Sequence, residues 1–143
     1  MVVHESGHIL GAFLAGARIE KVVLWPWTFS ETVRADSKVP LLDTWMGPVI
    51  GAYLPLICYA CLKYRSFCGR EFLGYFSGFC LLSNALYIGL GWMSQIGDAG
   101  DLQRLGTRIS VMILFGITTG SLGLWIWHYE LFGDAHKSPP THS

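Results

Sequence analysis

Charged side chains are scarce in this sequence. They make up 14% of its residues, against roughly 25% in soluble domains. They also cluster between apolar runs, where a soluble helical bundle would spread them to solvate one face of every helix. Charge of one sign is lacking too. Lys+Arg 10 balance Asp+Glu 10, so no net field draws the chain to nucleic acid or to an anionic surface. Cysteine is sparse. Two of the 4, Cys58 and Cys61, form a C-x-x-C, but both stand in an apolar run with no second ligand pair nearby. We read them as small hydrophobes buried in the packing. Met1 is followed by no basic region, and the first apolar run carries a metal-type motif in place of a cleavage site, so no signal peptide is read there. Repeats, low-complexity tracts and interdomain linkers are lacking as well, and 143 residues suffice for one domain.

Apolar residues fill the space that charge leaves, at 52% of the chain. Four segments stand out: 1 to about 17, about 45–62, about 72–93 and about 109–129. The first is short for a span of roughly 20 residues. The last ends with Trp125, Trp127 and Tyr129, read as an interfacial belt. All are rich in Gly, Ala and Ser, which lets helices approach closely in lipid. Between the first two lies a different texture, with Ile19, Val22, Val23, Leu24 and Trp25 as strand formers followed by Pro26. The expected fold is an all-α membrane protein of about four transmembrane helices, with a short interfacial strand or loop after the first. Residues 1–132 would form the membrane-embedded domain and 133–143 a disordered tail. The expected location is an integral, multi-pass one. Lys63, Arg65 and Arg70 in the second connection favour that side as cytoplasmic, while Arg18, Lys21, Arg34 and Lys38 on the other side dilute the bias.

Set in the first apolar run is His4-Glu5-Ser6-Gly7-His8, an H-E-x-x-H motif. Histidines four residues apart lie one helical turn apart on one face and can grip a single zinc ion. Glu5 points about 100° away from its neighbours and is not a ligand. It can act as base toward a water activated at the metal. Ser6 and Gly7, being small, would leave room for substrate. Ionisable groups on a membrane-type helix are costly and are functional by default.

A catalytic zinc takes three protein ligands and keeps one position open. His128 sits among aromatics, and His136 and His142 lie in the tail, so carboxylates are better candidates. Asp98 and Asp101 follow the third apolar segment among Gly97, Ala99 and Gly100, which permit a sharp or unwound turn. Either would complete a His2Asp set. Ser94, Gln95 and Asp101 could line a path for water.

His4-Glu5-x-Gly7-His8 on an apolar helix, Gly47-Pro48 opening the next span and the later Asp98-Ala99-Gly100 together resemble the site-2 protease family of intramembrane zinc metalloproteases. The resemblance covers residues 3 to about 102. It implies a zinc metalloendopeptidase with His4, His8 and Asp98 as metal ligands, Asp101 as the alternative third ligand, and Glu5 as the catalytic base. It also implies a membrane protein or peptide as substrate. Asn84 is read as making an interhelical hydrogen bond. If the first and third spans run parallel, the histidines would enter at one membrane face and Asp98 would emerge near the other, too far apart for one ion across roughly 30 Å. Helical turns upstream of Met1, which we expect, or an inward fold of Gly97 to Gly100 would reconcile them. The alternative function is a non-catalytic site-2-protease-like membrane protein with a binding or regulatory role. A di-iron hydroxylase is set aside, because it needs many more histidines than the 5 present.

Overall fold

A computed structural model describes residues 2–23, 31–65 and 68–132. The expected tail at 133–143, and Trp25 and Pro26, lie outside the described residues. Among those described, five helices and one strand pair follow one another. They are α1 (Val2–Ala15), β1 (Arg18–Val23), β2 (Glu31–Ala35), α2 (Pro40–Leu62), α3 (Arg70–Gly91), α4 (Gly97–Arg104) and α5 (Ile109–Phe132).

Three helices, α2, α3 and α5, are long and apolar enough to cross a membrane. The 14 residues of α1 extend about 21 Å, short of a roughly 30 Å hydrocarbon core. The described structure thus holds three candidate spans where the sequence reading expects about four. Gly16 ends α1 in the left-handed region at φ +64°. There the Ala17 N–H donates to Ala12 O at 2.8 Å, a Schellman closure that needs no side chain. The chain then enters β1, which pairs antiparallel with β2 from Arg18↔Ala35 to Val23↔Glu31, with a register shift between Ile19 and Lys21. Pro40 opens α2 at a position where its missing N–H costs nothing.

Close backbone approach sets the packing. α3 and α5 run antiparallel, with Gly89 against Gly116 near one end and Gly78 against Trp127 near the other. This is the small-residue contact that dispersion forces require where lipid gives no hydrophobic drive. Trp127 therefore faces inward, donating its Nε1–H to Tyr75 O at 2.9 Å, while Trp125 and Tyr129 remain exposed as a belt would be. α2 lies beside α3, joined by the Ser77 hydroxyl donating to Pro55 O at 2.9 Å, and around Ala52, Tyr59, Leu81 and Ile126. The buried stripe of α2 is Asp43, Thr44, Gly47, Pro48, Gly51, Ala52, Pro55 and Tyr59. Cys58 and Cys61, in the last turns of that helix, are exposed. The expectation that they pack inside is corrected, because apolar neighbours in sequence do not tell what a residue packs against.

α1 packs antiparallel to α2 through its glycines. A Cβ on Gly7 would strike the Met46 carbonyl oxygen, and one on Gly11 would crowd the Met46 side chain and the Asp43 backbone. Gly7 thus serves helix contact, where the sequence reading gave it to substrate. α4 is the other correction. The Gly97–Gly100 stretch expected to be a sharp or unwound turn is the start of a helix. Ala99 and Leu102 sink into a cluster with Ile88 and Met112, and that burial outweighs the weak helix propensity of Gly-Asp-Ala-Gly.

Candidate metal centre

Four helices bring the site together. α1 carries His4 and His8 alongside α2. His4 lies level with Gly51, where a Cβ would press on the His4 backbone and on Asn84. The His8 imidazole lies against Gly47, whose missing side chain makes room for it. Gly51 is eleven residues into α2, about 16 Å, and Asn84 is seven residues before the end of α3, about 10 Å. The histidines therefore sit well inside the ends of the long helices.

The chain reverses after α3. Gln95 and Gly97 both take left-handed backbone, at φ +54° and +60°, and the segment between α3 and α4 turns back, so that α4 starts level with Tyr87 and runs on toward Trp92. Asp98, in its first turn, is carried to the histidines. This inward fold is one of the two arrangements that the sequence reading required if α1 and α3 run parallel, as they do.

The geometry is compact. His4 Nε2 lies 2.7 Å from Asp98 Oδ2 and His8 Nε2 lies 3.1 Å from the same oxygen. The two Nε2 atoms are 3.2 Å apart. His8 is 3% exposed, His4 14% and Asp98 13%, so the cluster is shielded but reachable. Each ring uses its other nitrogen for orientation. His4 Nδ1–H donates to Asn84 Oδ1 at 3.0 Å, and His8 Nδ1–H donates to the Asp43 carbonyl at 3.2 Å. With both Nδ1 atoms protonated in this way, both Nε2 atoms present lone pairs to a carboxylate oxygen.

Three electron-pair donors aimed at one point need a cation or added protons between them. Burial pushes the Asp98 carboxyl up, but protons on the facing His4 and His8 nitrogens outweigh this and hold it well below the usual carboxylate range. A metal ion would take the place of those protons. A tetrahedral zinc at about 2.0–2.1 Å from nitrogen and oxygen donors would space its ligand atoms about 3.3 Å apart. Two of the observed separations, 3.1 and 3.2 Å, are close to that edge length and the third, 2.7 Å, is shorter; the borderline donor set suits zinc. The residues present fit the ion.

Of the sequence-read residues, His4, His8 and Asp98 come together as a possible metal-holding group among the described residues. Asp101 does not join them. It pairs with Arg104, N–H to carboxylate, at 2.5 Å on an exposed surface. Glu5 lies beside the group, 3% exposed. Ser94 and Gln95 are exposed at the reversal, at the end of the helices nearest the group. Two contributors escape sequence reading. The first is the Asp43 carbonyl, which orients His8, and the second is Tyr87, whose hydroxyl accepts the Asp98 backbone N–H at 3.1 Å. The Asn84–Tyr87 spacing, one turn apart on one apolar helix, is the only signal that could have marked the latter.

No protein-family model, curated protein or solved structure matches the chain. Any functional reading thus rests on the residues themselves.

Proposed function

We propose that this chain is an intramembrane zinc metalloprotease of the site-2 protease type, hydrolysing peptide bonds of membrane-associated substrates. The observation that carries the reading is the convergence of His4 Nε2 and His8 Nε2 with Asp98 Oδ2, ninety and more residues later in sequence, with Glu5 next to His4 on the same helix. Zinc bound there supplies a Lewis acid that polarises the scissile carbonyl and makes water acidic enough to deprotonate near neutrality.

The chain's own residues do the rest. His4, His8 and Asp98 hold the ion and leave one side open. Asn84 and the Asp43 carbonyl keep each imidazole in the tautomer that offers Nε2, as partners of ligating histidines do. Glu5 takes the proton from the attacking water and returns it to the leaving amine. α2, α3 and α5 cross the bilayer as an integral multi-pass unit. α1 is a part-depth helix beside them, and the β1–β2 pair lies at the interface. Low exposure of His4, His8 and Asp98 limits the access of bulk water.

Metal analysis of the purified chain tests the first half of this proposal. Zinc at one equivalent in the unaltered chain, lost in His8→Ala and Asp98→Ala and kept in Asp101→Ala, is the expected pattern. Iron in its place, or retention in Asp98→Ala, overturns it. Cleavage of a membrane-helix substrate by the unaltered chain and not by Glu5→Gln tests the second half. Zinc binding with no Glu5-dependent cleavage would point to the non-catalytic reading.

A further inference from the structure

One face of α3 serves two ligands carried by two other elements. Asn84 reaches His4 on α1, and one turn later Tyr87 reaches Asp98 on α4. The first N–H groups of a helix have no partner within it. At α4 the N-cap residue, Ile96, supplies no side-chain acceptor. The acceptor comes from Tyr87, eleven residues upstream, and it meets the N–H of the ligand residue itself. A Cβ on Gly97 would overlap the Tyr87 hydroxyl, and Gly97 takes left-handed backbone at φ +60°, so the chain is shaped to admit that oxygen. The Tyr87 ring also stands edge-on to the His4 imidazole, with centroids 5.8 Å apart.

We propose that Tyr87 is a positioning residue for the third metal ligand, its hydroxyl fixing the first turn of α4 so that the Asp98 carboxylate faces His4 and His8. The inference rests on the metal-centre reading above. Other contacts hold the rest of α4. Ala99 and Leu102 are buried against Ile88 and Met112, and the Gln103 side-chain amide donates to Trp92 O at 3.0 Å. Removing the hydroxyl alone therefore leaves the helix docked and loosens only its first turn.

Tyr87→Phe makes that change with the least disturbance. In the metal-free protein, the Asp98 amide should exchange its hydrogen several-fold faster, while the amides of Gln103 and Arg104 are unaltered. Zinc affinity should fall about 10–100-fold, the range for outer-sphere partners of ligands, and the visible spectrum of the cobalt-substituted protein should change. Gly97→Ala, which pushes on the same hydroxyl, should do likewise. Unchanged exchange, affinity and cobalt spectrum in Tyr87→Phe, with zinc still lost in His8→Ala, overturns the role of Tyr87 and leaves the metal reading standing. Faster exchange at Gln103 and Arg104 to the same degree as at Asp98 also overturns it, since that marks general loosening. Absence of metal binding by the unaltered chain overturns both.

Discussion

The imidazole of His8 occupies the space that a Cβ on Gly47 would need. Helix propensity alone would favour Ala at an interior position by about 1 kcal/mol, yet any side chain there must displace the His8 imidazole. Gly47→Ala is therefore expected to keep the helical content of the chain and lose most of its zinc affinity. Circular dichroism and a zinc titration on the same sample check both halves. Wild-type affinity in Gly47→Ala would show that His8 is not confined as described.

Asn84 separates a chemical role from a packing role. Its Oδ1 accepts the His4 Nδ1–H while its amide donates to Cys80 O at 2.9 Å. Asn84→Ala removes the acceptor and should weaken zinc binding about 10–100-fold. Asn84→Asp keeps an acceptor for the same N–H and should retain most of the affinity. Equal losses in the two variants, read by competition with a chelating dye, would mean that Asn84 acts only by filling space.

Much of the candidate site is legible in the sequence because bringing His4 and His8 together needs only local spacing on one helix. The candidate spans α2, α3 and α5 are legible because a helix that crosses lipid has to be apolar over its whole length. Asp98 and Asp101 could not be separated from sequence. They are three residues apart, about 60° on a helix, and the choice depends on Ala99 and Leu102 finding the Ile88–Met112 cluster and on Arg104 engaging Asp101. The helical state of α4 was hidden for the same reason, since its glycines read as breakers until tertiary burial is counted. Gly7, Cys58 and Cys61 were misread because hydropathy reports which residues avoid water, and it does not report which neighbour they meet.

Gly116 and Gly120 give a paired test of the α3–α5 contact. A Cβ on Gly116 would come 2.7 Å from the Gly89 Cα, backbone against backbone, whereas one on Gly120 would meet only the Ala85 Cβ at 3.4 Å. Gly116→Ala should destabilise the chain by about 1–3 kcal/mol, as overpacking does. Gly120→Ala should be neutral or slightly stabilising through helix propensity. Unfolding in detergent micelles measures both, and equal stabilities would refute the close approach of the two helices.

The helix directions also predict how the chain sits in a membrane. α1 ends, α2 begins, α3 ends and α5 begins at one end of the bundle, so Arg18, Lys21, Arg34, Lys38, Arg104 and Arg108 gather there. Among the described residues, Lys63, Arg65 and Arg70 mark the other end. The bias of basic residues toward the cytoplasm then favours the end bearing β1–β2 and α4, opposite to a reading from the Lys63–Arg70 connection alone. Cys68 lies in that connection and is exposed. With Cys58, Cys61 and Cys80 replaced by alanine, Cys68 should react with a membrane-impermeant maleimide in intact cells. Labelling that requires permeabilised cells would reverse the orientation and place the approach to His4, His8 and Asp98 on the outer side.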